Sequence, residues 1–229
     1  MKNILILAFL LMVAQSSFGQ QSIQVQPQIN KGTVTDIDGN IYHTVTIGEQ
    51  TWMSEDLKTT RYRNGDSIGT TRPATLDIRN ESAPKYQWAY NGDEKNVAVY
   101  GRLYTWFAVT DNRKICPTGW HIPTKNEFET LLSNIGGKGI AGFQALLPGG
   151  SSGFSSLFSG IRTENGHFEQ MTSNQNAVFW SSTESDDGFA WFMSNYSGRK
   201  DAHLYAGPYG PLSMGCSVRC IKDESKKNK

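Results

Sequence analysis

The sequence predicts an α+β domain of short antiparallel strands, one or two helices and much irregular chain. Three observations carry that reading: β-rich runs around tight-turn residues near both ends, one strongly capped amphipathic helix in the middle, and Gly, Asn, Asp and Pro spread between them.

The chain opens with Lys2, an apolar run from Ile4 to Ala14, and the small and polar stretch Gln15 to Gly19. That is the three-part pattern of a secretory signal, with Ser17 and Gly19 small enough for the peptidase pockets and cleavage expected between Gly19 and Gln20. The apolar run is well short of the ~20 residues a membrane span needs. No cysteine lies in this segment to carry a lipid, and no later run approaches spanning length, so no transmembrane anchor is expected. Residues 20–31, rich in Gln, read as a flexible leader, residues 32–222 as one domain and 223–229 as a charged tail. The expected location is extracytoplasmic: periplasmic, secreted or surface-associated.

Within the domain, residues 33–37 and 41–47 alternate in strand fashion around Asp38-Gly39-Asn40, a hairpin turn, and Gly48 to Gln50 turns the chain into Thr51-Trp52-Met53. The stretch 60–99 is rich in Arg, Asn, Asp, Gly and Pro and reads as long irregular chain that covers a core or carries a binding surface. Leu103, Trp106 and Phe107 share a helical face, which predicts a short helix there. Thr124 followed by Glu127 forms a capping box; Phe128, Leu131, Leu132 and Ile135 then repeat at helical spacing, and Gly136-Gly137 stops the helix. Beyond Gly150, strands are expected at 154–163, 167–170, 177–183, 189–196 and 216–222.

Charge and motif spacing exclude several functions. Past residue 19 the chain holds 21 basic and 21 acidic residues, so it lacks the basic excess that nucleic-acid binding needs. Asp36-x-Asp38-x-Asn40 resembles the start of a calcium loop, but the glycine stands fourth rather than sixth and the twelfth residue is Ile47, not Glu. His43, His121, His167 and His203 have no paired spacing for zinc, and Gly149 to Gly153 lacks the Gly-Lys-Ser/Thr ending of a phosphate loop. The serine pairs have no nucleophile elbow, and the carboxylate pairs Asp186-Asp187 and Glu127-Glu129 are accounted for by a turn and a helix face. No catalytic residue, metal or cofactor is therefore expected.

Aromatics make up 11% of the chain, with six Trp. Trp88, Tyr90, Tyr205 and Tyr209 lie in Gly/Pro/Asn-rich segments and are the candidate ligand-binding rings, although core packing is the commoner fate of such residues. Three cysteines, Cys116, Cys216 and Cys220, permit three pairings. Cys216 and Cys220 would lie about 13 Å apart on an extended strand, against about 5.5–6 Å for a disulfide; if that segment is a strand, Cys116 pairs with one of them.

Five blocks carry a family resemblance: Val34 to Tyr42 with Ile47 to Leu57, Tyr100 to Tyr104, Cys116-Pro-Thr-Gly-Trp-His-Ile-Pro123, Phe179 to Thr183, and Ser217 to Asp223. In order and content they resemble the Fibrobacter succinogenes major paralogous domain, over roughly residues 32–223. The resemblance implies a C-type-lectin-like scaffold shared with formylglycine-generating enzymes, bacterial export, and a Cys116–Cys220 disulfide that leaves Cys216 unpaired. The sequence lacks the calcium-ligand tripeptides of sugar-binding lectins, and one spare cysteine cannot supply the reactive pair of the formylglycine enzymes. The function expected is an exported, non-catalytic binding module for a glycan or cell-surface protein. The alternatives are an enzyme using Cys216, with Arg219 as its basic neighbour, and a structural subunit of a surface assembly.

Overall fold

The computed structural model describes residues 31–169, 175–207 and 211–224. The expected signal, most of the leader and most of the tail lie outside the described residues. Twelve strands are described: β1 (Lys31–Thr35), β2 (Ile41–Ile47), β3 (Gln50–Met53), β4 (Gln87–Ala89), β5 (Arg102–Tyr104), β6 (Trp120–His121), β7 (Ile161–Arg162), β8 (Phe168–Glu169), β9 (Asn176–Glu184), β10 (Ala190–Tyr196), β11 (Asp201–Tyr205) and β12 (Ile221–Lys222). The helices are α1 (Val97–Tyr100), α2 (Trp106–Val109), α3 (Lys125–Asn134) and α4 (Ile140–Leu146). One antiparallel sheet runs β1-β2-β3-β12-β6, a second runs β11-β10-β9, and β4-β5 and β7-β8 are separate hairpins. The architecture is mixed α+β, with several antiparallel sheets and a few short helices.

Local chemistry explains the elements that match expectation. The β1–β2 turn closes because the Asp36 carboxylate accepts from the Asp38 and Asn40 amides, each at 2.9 Å, and from the Tyr42 hydroxyl at 2.6 Å. Gly39 supplies the positive φ, 84°. Donors of the turn itself thus occupy the carboxylate that a calcium loop would need. At α3 the Thr124 hydroxyl accepts from the Glu127 amide at 3.2 Å and the Glu127 carboxylate accepts from the Thr124 amide at 2.7 Å, the two halves of the capping box.

Tertiary partners decide the rest. Leu103 is not helical: it pairs with Trp88 across the β4–β5 hairpin, and only Trp106–Val109 form a helical turn. The strand expected over 154–163 shrinks to Ile161–Arg162, because Gly153, Ser155 and Gly160 all take positive φ. Helix α4 and strand β11 were not foreseen. In α4, Gly142 lies so close to the Gly137 carbonyl that a Cβ would stand 1.8 Å from its oxygen.

The expected strand 216–222 is regular only at Ile221–Lys222. Upstream, the same run threads the core and bonds a different neighbour at each step: Cys216 with Tyr104, Ser217 with Val178 and Trp180, Val218 with Leu57, and Cys220 with Met53. Every residue from Met214 to Ile221 is therefore buried, with no alternation. Two apolar clusters flank it. One gathers Tyr42, Tyr104, Trp180 and the cysteines. The other gathers Trp52, Phe128, Phe154 and Phe179, with Trp52 stacked 5.4 Å from Phe128.

Cys116 and Cys220 are joined, with Cα atoms 5.9 Å apart, and Cys216 is free and buried. Between the clusters lies an ion pair with both side chains at 0% exposure: Arg219 Nε donates to Asp56 Oδ1 at 2.6 Å. The same guanidinium donates to the carbonyls of Phe154 and Ser155. Burial drives the Asp56 carboxyl upward, and the Arg219 guanidinium pulls against that rise.

Two stability predictions follow from this geometry. The disulfide closes a separation of 104 residues, a loop worth about 4.7 kcal/mol in the chain-entropy view. Cys116→Ser or Cys220→Ser lowers the melting temperature sharply whereas Cys216→Ala changes it little, and peptide mapping without reductant that finds a Cys116–Cys216 link would contradict the pairing. Arg219→Met leaves Asp56 buried and uncompensated, a loss of about 3–5 kcal/mol in urea unfolding that Asp56→Leu in the same chain restores only in part. A single-variant loss below about 1 kcal/mol would refute the role given to this pair.

Candidate functional site

Strand alternation builds one side of a cavity of about 730 Å³. Phe192, Ser194 and Tyr196 of β10 point to the same face, and the antiparallel register sets Tyr205 beside Phe192, Val178 beside Ser194 and Asn176 beside Tyr196. The β7–β8 hairpin supplies another wall through Ile161, Thr163, Glu164 and Glu169. Ile161, Val178, Phe192 and Met214 make the lining partly apolar; Arg79, Arg199 and Asn165 add polar groups.

Tyr205, 38% exposed as a residue, is held by three neighbours, one of them the His203 ring 5.5 Å from its own. Beside it across the strands lies Phe192, with ring centres 5.8 Å apart. The Arg199 guanidinium donates to its hydroxyl at 2.5 Å and to Asp201 at 2.9 Å, and Asp201 also meets His203 Nε2 at 2.6 Å. The bond to Tyr205, then Asp201, raises the Arg199 pKa. Ser194 donates to Asn176 at 2.6 Å and Thr163 to Asn165 at 2.5 Å, so these cavity hydroxyls serve amide carbonyls rather than a base. Polar groups thus converge around a partly apolar floor.

Among the described residues, Tyr205 is the aromatic candidate that lines the cavity, and it is exposed. Trp88 and Tyr90 are corrected: both are core residues, at 1% and 5% exposure. Trp88 sits in β4 under the Arg162 guanidinium, 4.0 Å from its ring centre, with its indole NH on Thr71. Tyr90 packs edge-on against Phe168 at 5.8 Å. The segment around them reads as surface by composition but is tied down by partners far along the chain. Tyr209 lies outside the described residues. Cys216 is fully buried and burial pushes its thiol well up, while Arg219 is committed to Asp56; neither has the exposure or neighbourhood of a reactive thiolate.

Arg199, Glu164 and Asn176 were missed as site residues. The alternation of Asp201, His203 and Tyr205 with Ala202 and Leu204 was the available signal for β11 and hence for the site.

A smaller cavity of about 410 Å³ borders the disulfide, lined by Arg63, Lys114, His121 and Asp223 among others. Its polar groups brace the fold. Arg63 donates to the carbonyls of Cys116, Pro117 and Trp120. His121 meets Glu127 at 2.8 Å through Nε2 and Asp223 at 2.6 Å through Nδ1, linking the start of α3 to the end of β12. Among the described residues no group of three or more His, Cys, Asp or Glu is arranged to hold a metal ion, and no helix is long and apolar enough to cross a membrane.

Comparison with known proteins gives one match: the model of the Fibrobacter succinogenes major domain fits residues 45–222. No curated protein and no solved structure matches.

The His121 clamp predicts a pH window. The Glu127 bond, against desolvation and helped by Asp223, raises His121 above its ordinary 6.5. Its contribution is complete below pH 6.5 and is lost as pH rises through the raised value. Burial pushes Glu127 up, but the bonds from His121 and Thr124 outweigh it and leave it below 4.5, so its contribution is present above pH 4.5 and lost as pH falls. Melting temperature should therefore decline as pH is raised from 6 to 9, and His121→Gln should flatten that decline; an unchanged slope in the variant would rule out the clamp.

Proposed function

The chain belongs to the Fibrobacter succinogenes major domain family, and on that premise we propose that it is a non-catalytic binding module acting outside the cytoplasm. One observation carries the reading: a partly apolar cavity of about 730 Å³ lies against a sheet, edged by a fixed tyrosine and by amide, carboxylate and guanidinium groups. That size and lining suit a small ligand or the tip of a surface partner. Export is supported by the N-terminal signal pattern, with cleavage near Gly19/Gln20, and by the long-range disulfide, a bond that persists in oxidising compartments. The C-type-lectin-like scaffold is part of the same proposal; it rests on the block resemblance and fits the mix of short antiparallel strands, short helices and irregular chain.

The site is tested with the mature protein on glycan and peptide arrays, followed by hydrogen exchange with whichever ligand binds. Protection is expected in 161–169, 192–196 and 199–207. A binder whose protection maps elsewhere, or a folded protein that binds on neither array, would overturn the reading.

A further inference from the structure

We infer that the cavity takes an uncharged, hydroxyl-rich saccharide, with the apolar face of one sugar ring on Tyr205 and its hydroxyls on the acceptors around the β7–β8 hairpin. The inference rests on the binding reading above and names its ligand class. Its first support is the state of Tyr205. Tyr205 is exposed as a residue, yet Phe192 and His203 flank its ring and Arg199 holds its hydroxyl at 2.5 Å. A side chain already fixed gives up little rotamer freedom on binding, and a flat ring suits the flat apolar face of a pyranose.

The second support is the surplus of acceptors. Glu164 and Glu169 both line the cavity. Glu164 Oε2 is buried with no hydrogen-bond partner among the described residues. An ionised carboxylate can only accept, so it calls for a donor, and a polyol brings several.

The third is charge. Arg79 is bonded to Asp77 at 2.6 Å and Arg199 to Asp201 at 2.9 Å, so neither guanidinium is unengaged. An anionic ligand meets Glu164 and Glu169 with no unengaged guanidinium to offset them. Like-charge contact of this kind disfavours an anionic ligand and favours a neutral one that brings hydroxyl donors.

Isothermal titration of the mature protein with neutral cello-, xylo- and manno-oligosaccharides and with oligogalacturonate tests this. At least one neutral series should bind, and the uronate about tenfold or more weaker, with the Glu164→Gln/Glu169→Gln variant narrowing that gap. Tyr205→Ala should weaken the neutral ligand about tenfold or more, as loss of a stacking ring does, while Tyr205→Phe keeps most of the affinity. Tighter binding of the uronate, or of a peptide with no saccharide bound, would overturn the ligand class and leave the binding module standing. Saccharide affinity unchanged in Tyr205→Ala, with exchange protection outside the cavity, would overturn both.

Discussion

Irregular chain inside a core must have its carbonyls satisfied, and in this fold arginines do it. Segments without helix or sheet leave backbone oxygens that water cannot reach, each worth about 1–3 kcal/mol if left without a donor. Arg219 donates to Phe154 and Ser155, Arg162 to Ala74, Leu76 and Thr163, Arg63 to Cys116, Pro117 and Trp120, and Arg102 to Lys58. A planar guanidinium carries five donors in a fixed fork, so one side chain can hold two or three turns of loop at once; an ammonium has neither the number nor the reach. Burial lowers Arg162 to about 10, which leaves it protonated at neutral pH and able to do this.

The cavity depends on the same device. Arg162 lies between Ile161 and Thr163, which face the cavity, and its own side chain points the other way, onto Trp88 and the carbonyls of Ala74 and Leu76. Strand alternation thus turns one residue of β7 into the anchor for its two neighbours. A two-residue strand would be a poor wall by itself. Fastened through Arg162, and through Gly215 on its backbone, it becomes a fixed one.

Local features were readable in the sequence. The Asp36 turn and the Thr124–Glu127 box are settled within a few residues, and both appear as expected. What was misread depends on distant partners. The setting of Trp88 and Tyr90 looks like surface because its composition is polar, yet Thr71, Arg162 and Phe168 decide their burial. The run 216–222 reads as a strand with two faces, but from Cys216 to Ile221 it has no exposed face, since the core closes on both sides. The role of the arginines is the least legible of all, because their acceptors are backbone oxygens that every residue possesses. Tyr205 stands out in the sequence by its loop-like flanks, whereas the cavity it lines depends on β11, whose short alternation is easily lost beside Arg199 and Lys200.

The position of β12 has a consequence for when the molecule can fold. In the sheet order β1-β2-β3-β12-β6 the last strand stands between segments made much earlier, and Arg219 and Cys220 just before it supply the buried ion pair and the disulfide. The ribosome delivers the chain from its N-terminus at about 5–20 residues per second, so the core stays open until β12 has been made. Placing the keystone strand after the segments it joins delays closure of the core by topology alone, without a separate device to hold it open.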